Sequence, residues 1–221
     1  MKTLRTLAAA KAASILLIAG PAIAAAAPAA PQPPAGTYTM DKAHTSVTFR
    51  VNHLGFSHYT ARFATVDGKL KFNPAAPATM AVEATIDPRS LTLNTPPTGF
   101  HDQLMSKAWF DAAAFPAITF RSTKVQVTGA NTAKVTGDFT LHGVTKPVVL
   151  DVTYNGGYPP NSFDPGGARV GFSAHGAFKR SAFGMGAGIP APGTTMGVSD
   201  DVDVAIETEF SGGKPAVAAK K

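Results

Sequence analysis

Residues 46–51 read Ser-Val-Thr-Phe-Arg-Val, and this alternation of polar and apolar side chains decides the fold. Successive side chains of a β-strand point to opposite faces of the sheet, so the three apolar residues share one face. The same period of two returns in residues 148–154, 170–174 and 202–210. The pattern predicts strands with one apolar face and one face nearer to water.

One segment, residues 91–115, departs from the alternation. It contains Phe100 and Leu104 at helical spacing, followed by Trp109 and Phe110, and we expect one short helix that caps the strands. A single long antiparallel sheet tends to close, because closure removes its unpaired edges. The predicted fold class is therefore all-β, a closed antiparallel barrel of about eight strands with one short helical segment. A barrel of that size can enclose one small ligand.

Composition divides the 221 residues into four parts. Residues 1–27 have a basic start, a short apolar run and a series of alanines, which is the order of a secretory signal peptide. Residues 28–36 read as a linker rich in proline and alanine, and residues 213–221 as a basic tail that we expect to be disordered. We expect residues 37–212 to form one domain. A domain of this size can bury a core without disulfides, and the chain has no cysteine with which to form them.

The formal net charge of +6 overstates the basic character of the predicted domain. Three basic residues lie in the predicted signal peptide and three in the tail, which leaves 14 basic and 14 acidic residues in the body. A nucleic-acid partner is therefore not expected. The chain also lacks the motifs of hydrolases, phosphate-binding loops and zinc proteases, and its six histidines have no metal-ligand spacing. We predict neither enzymatic activity nor a metal site.

Five sequence blocks resemble the YceI family of exported, lipocalin-like proteins. They are, in chain order, the opening with Tyr38, Asp41, His44, Ser46, Val47, Phe49, Val51 and His53-Leu54-Gly55; Trp109-Phe110-Asp111; Phe115-Pro116 with Ile118-Thr119-Phe120; Gly137 to Pro147; and Arg180-Ser181-Ala182-Phe183-Gly184-Met185. Each block is weak alone, but five in the right order cover nearly the whole predicted domain.

The resemblance implies an extended lipocalin-like barrel that binds a polyisoprenoid or similar amphiphilic lipid in its lumen. It also implies a periplasmic location, as the predicted signal peptide does, and no cofactor other than a bound polyisoprenoid or quinone-like lipid. Two alternatives stay open: a quinone-type ligand exchanged with a membrane b-type cytochrome, or an envelope stress or structural protein without a ligand. A homodimer is compatible with each of these.

Apolar side chains that the alternation or the cap could direct inward are the expected lining of the lumen. They are Phe49, Val51, Phe63, Phe72, Leu104, Trp109, Phe110, Phe120, Phe139 and Phe183. From the residues alone, a narrow barrel whose core is filled by these side chains is the favoured interpretation. The resemblance favours a lumen that carries a ligand.

A polar head group would need polar partners at the mouth of the barrel. The candidates are His44, His53, Asp102 and Arg180. Arg180 could pair with a phosphate or polarise a carbonyl, although a salt bridge or a cap on the neighbouring loop is the alternative. His44 follows Asp41 closely, and a hydrogen bond that fixes the first strand is the alternative for it.

Overall fold

The computed structural model describes residues 31–212 of the chain. The predicted signal peptide, the first three residues of the predicted linker and the predicted tail therefore lie outside the described residues. Within the described part, no helix is long and apolar enough to cross a membrane.

Ten strands and very little helix make up the described part of the chain. The strands are β1 (Gly36–His53), β2 (Ser57–Phe63), β3 (Val66–Phe72), β4 (Ala81–Ile86), β5 (Leu91–Thr92), β6 (Ile118–Val127), β7 (Thr132–Leu141), β8 (Val144–Tyr158), β9 (Ala168–Lys179) and β10 (Val198–Gly212). The single α-helix, α1, spans Phe100–Met105, and short 3₁₀ turns cover Pro77–Thr79, Pro88–Ser90 and Arg180–Phe183.

Eight of these strands close into an antiparallel barrel. Starting from β1, the ring runs through β10, β9, β8, β7, β6, β4 and β3 and returns to β1. The long β1 makes closure straightforward, because its first four residues pair with β3 while its other edge pairs with β10. The second half of β1 pairs with β2, and β5 adds to β2. The predicted barrel of about eight strands with one short helix is confirmed.

The connections define two ends of the barrel. The upper end carries the β1–β2 turn, the cap segment (residues 93–117, which includes α1), the β7–β8 turn and the β9–β10 loop (residues 184–197). The lower end carries the β3–β4 connection, the β6–β7 turn and the β8–β9 loop (residues 159–167). These two ends are fastened by different chemistry.

The cap segment is fixed to the β7–β8 turn by Phe115. Its ring lies 5.0 Å from the ring of His142, and a β-carbon added to Gly143 would lie 2.3 Å from an atom of the Phe115 ring. Gly143 also has a φ of +74°, a backbone conformation that side chains disfavour. Glycine is therefore required there both for the turn and for the approach of the cap.

An aromatic cluster packs inside the lower end. Tyr38 is fully buried and donates its hydroxyl to the carbonyl of Pro34 at 2.7 Å. The ring of Phe72 lies 5.5 Å from that of Tyr38 and 5.9 Å from that of Tyr154. Phe172 continues the cluster from Tyr154 to Phe210. These side chains tie β1, β3, β8, β9 and β10 together.

Candidate ligand-binding cavity

A cavity of about 910 Å³ occupies the lumen of the barrel. All ten strands contribute side chains to its wall, and the wall is almost entirely apolar. The contribution follows from the alternation: the apolar positions of β8, Val148, Leu150, Val152 and Tyr154, all line the cavity. The volume lies in the upper part of the range of ligand pockets, about 300–1,000 Å³.

Small residues at inward-facing positions keep the lumen open. Ala84 on β4 and Ala174 and Gly176 on β9 line the cavity, where larger side chains would fill it. Ala174 is buried, with 6% of its surface exposed, although it lines an empty space. The alternative of a narrow barrel filled by its own side chains therefore does not describe this interior.

The structure places nine of the ten predicted lining residues at the cavity wall. They are Phe49, Val51, Phe63, Phe72, Leu104, Trp109, Phe110, Phe120 and Phe139. Leu104, Trp109 and Phe110 reach the lumen from the cap segment, and the ring of Phe110 meets that of Phe63 edge-on at 6.0 Å. The cap therefore forms part of the binding surface.

Phe183 is the exception among the predicted lining residues. Its side chain is 1% exposed and lies outside the cavity wall. The rings of Phe139 and Phe178 lie 5.3 and 5.4 Å from it, both nearly edge-on. Phe183 lies in the 3₁₀ turn after β9, where the alternation has ended, so it packs behind two rings that line the cavity.

Arg180 fastens the β9–β10 loop through backbone carbonyls. Its guanidinium donates to the carbonyl oxygens of Met185, Ala187, Val198 and Ser199 at 2.7 to 2.9 Å. Burial lowers the pKa of Arg180, and among the described residues it forms no ion pair with a carboxylate. Four of its five N–H donors are used in this way.

Those contacts make Arg180 a clamp on the loop. The guanidinium borders the cavity and lies 5.5 Å from the centre of the Trp109 ring, so it also holds the cap by a cation–π contact. With four donors engaged, it cannot offer the paired N–H groups by which arginine grips a phosphate. The geometry matches the predicted alternative of a cap on the neighbouring loop.

The other three predicted head-group residues do not come together. His53 lines the upper mouth of the cavity. Asp102 lies on α1 with 94% of its side chain exposed, away from the cavity wall. His44 lies on the outer face, with Nδ1 3.0 Å from Asp41, as in the predicted alternative. Of these three predicted residues, the structure therefore places His53 alone at the lumen.

Polar residues at both ends of the cavity were missed in the sequence. At the upper mouth the backbone N–H of Asn94 donates to the Tyr59 hydroxyl at 3.0 Å, and both residues line the cavity. At the lower end Asn131 and Thr132 line it. Their positions in connecting segments were visible in the sequence, but nothing there indicated which loops border the lumen.

Tyr154 lines the lower part of the lumen. Its hydroxyl is buried and has no hydrogen-bond partner among the described residues, and burial raises the pKa of Tyr154. A buried polar group without a partner costs about 1–3 kcal/mol. Because less than 1 Å² of this hydroxyl is accessible, it offers no contact to a ligand in the lumen.

An ion cluster on the outer face fastens the lower end. Arg169 donates from Nε to Asp164 at 2.5 Å and from Nη1 to Asp41 and to Glu209. Its hydrogen bonds lower the pKa of Asp164 to about 2 and lower that of Asp41, which in turn raises the pKa of His44. Asp164 lies in the β8–β9 loop, so the cluster ties this loop to β1, β9 and β10.

Metal coordination is a weak interpretation of the same cluster. Ligand atoms of Asp41, His44 and Glu209 lie within 4.8 Å of one another. Arg169, however, already donates to both carboxylates. A metal cation bound there would have to share the carboxylate oxygens of Asp41 and Glu209 with the positively charged guanidinium of Arg169, which disfavours metal binding.

Comparison with known proteins places the chain among proteins of the same fold. A family model described as a YceI-like domain matches residues 38–210. A UPF0312 protein of Pseudomonas savastanoi pv. phaseolicola is 37% identical over 193 residues, 86% of this chain and 95% of the relative. A UPF0312 protein of Vibrio cholerae is 35% identical over 178 residues, 79% of this chain and 87% of the relative.

Solved structures agree with the sequence relatives. BcnA of Burkholderia cenocepacia is similar with a TM-score of 0.64 and 29% identity, over 77% of this chain and 98% of that one. The YceI protein of Campylobacter jejuni has a TM-score of 0.59 and 31% identity, over 79% and 97%. A domain of Saccharophagus degradans described as polyisoprenoid-binding has a TM-score of 0.55 over 79% and 97%, and its 16% identity shows the fold alone. The family match, the relatives and the barrel agree: this chain belongs to the YceI-like family.

Proposed function

We propose that the protein is a periplasmic binding protein that holds a polyisoprenoid, or a similarly long amphiphilic lipid, with its chain inside the lumen. The observation that carries the proposal is the apolar cavity of about 910 Å³ that runs between the two ends of the barrel. The proposed role is that of a carrier, with binding and release as its whole chemistry and no catalytic step.

The energetics of such a site favour long chains. Each methylene transferred from water to an apolar site is worth about 0.8 kcal/mol, so ten methylenes gain about 8 kcal/mol. Association costs roughly 4–15 kcal/mol in lost freedom, and ordering the chain adds to that. A short chain would therefore bind weakly, and a chain long enough to fill the lumen would bind well. An aliphatic and aromatic wall has few directional contacts, so it tolerates differences in chain type.

The polar groups fit an amphiphile better than a hydrocarbon. Tyr59, Asn94 and His53 stand at the upper mouth, where they can meet a head group. The name of the Saccharophagus degradans domain supports the same ligand class, although that likeness is one of fold. The periplasmic part of the proposal rests on the signal-peptide pattern of residues 1–27.

Blocking the lumen tests the proposal. Ala174 faces the cavity and Ala177, three residues further along β9, is exposed on the outer face, so Ala174→Phe and Ala177→Phe add the same ring to opposite faces. Each variant is incubated with a long-chain polyprenol, and the bound lipid is counted by native mass spectrometry. We expect the Ala174→Phe variant to retain less than a tenth of the polyprenol that the Ala177→Phe variant retains.

Two results would overturn this proposal. One is equal retention by both variants, which would place the lipid outside the lumen. The other is no retention by the unmodified protein, which would favour the hypothesis of an envelope protein without a ligand. Identifying the lipid extracted from protein made in its own cells also distinguishes a quinone ligand from a polyprenol, because a quinone carries a redox-active ring and a polyprenol does not.

A further inference from the structure

Two large apolar side chains stand exposed on neighbouring connections at the upper end of the barrel. Phe56, in the β1–β2 turn, is 83% exposed, and Met196, in the β9–β10 loop, is 71% exposed. The backbone N–H of Leu54 donates to the carbonyl of Gly197 at 2.8 Å, which holds the two connections together. We call Phe56 and Met196, which lie on these two adjoining connections, the apolar tip.

The tip borders the upper mouth of the cavity. His53 and Val198 are partners in the pairing of β1 with β10, and both line the cavity. Phe56 follows His53 by three residues, and Met196 precedes Val198 by two. Both exposed side chains therefore lie within three residues of the cavity wall.

The size of the tip indicates which partner it fits. A stable protein interface buries about 800 Å² on each side, whereas an aromatic side chain buries about 150–250 Å². Two side chains are thus too small to anchor a folded partner. A bilayer accepts such a protrusion, because an aromatic residue on a turn can enter the boundary between head groups and acyl chains without a complementary surface.

We propose that Phe56 and Met196 dock the upper mouth of the barrel on the surface of a lipid bilayer. The inference rests on the proposed function, since a lipid cargo must leave the lumen into an apolar phase. Docking at this end would place the upper mouth and its cap against the membrane, and the lipid would pass between bilayer and lumen with little exposure to water.

Vesicle flotation of the full chain tests the docking. Phosphatidylcholine vesicles are mixed with the unmodified protein, with the double variant Phe56→Ser, Met196→Ser, and with a control variant, Phe163→Ser. Phe163 is a suitable control because it is 78% exposed but lies in the β8–β9 loop at the lower end. We expect the partition coefficient of the double variant to fall at least tenfold, about 1.4 kcal/mol, and that of the control to stay within twofold.

Each outcome bears on one proposal. Flotation of the double variant equal to that of the unmodified protein would overturn the docking inference, as would an equal loss in the Phe163→Ser control. Polyprenol retention is measured on the same samples by native mass spectrometry. Loss of flotation with unchanged retention supports the docking. Flotation that depends on Phe56 and Met196 in a protein that retains no polyprenol overturns the proposed function and leaves docking as a membrane-binding property of the barrel.

Discussion

Two arginines fasten opposite ends of this barrel by different chemistry. At the upper end Arg180 is buried and donates to four backbone carbonyls around the β9–β10 loop. At the lower end Arg169 is partly exposed and binds the carboxylates of Asp164, Asp41 and Glu209. Both residues hold a long loop against β10, yet only the lower one uses groups that titrate.

The two arginines therefore differ in how their contacts depend on pH. Carbonyls carry no ionisable proton, so the Arg180 clamp keeps its partners at every pH at which the protein folds. Carboxylates are lost as partners when they are protonated, so the Arg169 cluster weakens in acid. The contacts of Arg180 on the β9–β10 loop are thus independent of pH, and the contacts of Arg169 on the β8–β9 loop are not.

Removing the upper clamp is expected to have the largest effect on stability. Arg180→Met leaves four carbonyls without their donor in a buried site, and loss of such a group costs about 3–5 kcal/mol. The free energy of unfolding, measured in urea at pH 7, reports it. The matched control is Lys179→Met, because Lys179 is exposed and its solvent-screened ion pair with Asp201 contributes little to stability. Equal losses in the two variants would contradict the clamp.

Removing the lower arginine is expected to cost less. Arg169→Met takes away charge-assisted hydrogen bonds that water can partly replace at this partly exposed site, so we expect a loss of about 2 kcal/mol at pH 7. The same urea titration measures it. If Arg169→Met destabilised the protein more than Arg180→Met, the ranking of the two fastenings would be wrong.

Acid should separate the two ends. The pKa of Asp164 is lowered to about 2 in the folded protein, so its stabilisation is complete above its ordinary pKa near 4. That stabilisation is lost as the pH falls from about 4 towards 2. The unmodified protein and the Arg180→Met variant should therefore lose stability over this interval, whereas Asp164→Asn should show a flatter profile and start from a lower value at pH 7.

The control for this titration is Asp102→Asn, whose side chain is almost fully exposed. Its profile should match that of the unmodified protein. A profile for Asp164→Asn as steep as that of the unmodified protein would show that the acid sensitivity arises elsewhere in the molecule.

The smallest effect is expected at His44, which contacts Asp41 at the edge of the Arg169 ion cluster. Its hydrogen bond to Asp41 raises its pKa, so the protonated imidazole stabilises the fold below its ordinary pKa of about 6.5. The contribution is lost as the pH rises through the raised value. His44→Ala should therefore lose slightly more stability at pH 5.5 than at pH 8.5, measured by thermal unfolding. A larger loss at pH 8.5 would contradict the assignment.

The barrel itself was predictable because its signal is local. Alternation along a strand decides which side chains face inward, and Phe49, Phe120 and Phe139 all line the cavity as their parity required. Phe183 departs because the 3₁₀ turn after β9 breaks that parity. Period two carries no information where the backbone leaves the strand conformation.

The polar chemistry was much less predictable, because its partners are distant in the chain. The role of Arg180 depends on carbonyls up to 19 residues away, and backbone carbonyls leave no trace in a sequence. Arg169 and Asp41 are 128 residues apart and meet only because β1 pairs with β10 beside β9. Asp102 shows the reverse case, a polar residue in a predicted cap that faces water.

The central claim is that the lumen carries a lipid, and the mass of the protein as its own cells make it tests that claim most directly. Native mass spectrometry of the purified protein, followed by denaturing extraction, gives the ligand's mass and stoichiometry. The account predicts one long-chain isoprenoid or similar amphiphile per barrel, which stays bound in the purified native protein and is recovered by the denaturing extraction. A mass equal to that of the polypeptide alone, unchanged after incubation with polyprenols, would contradict it.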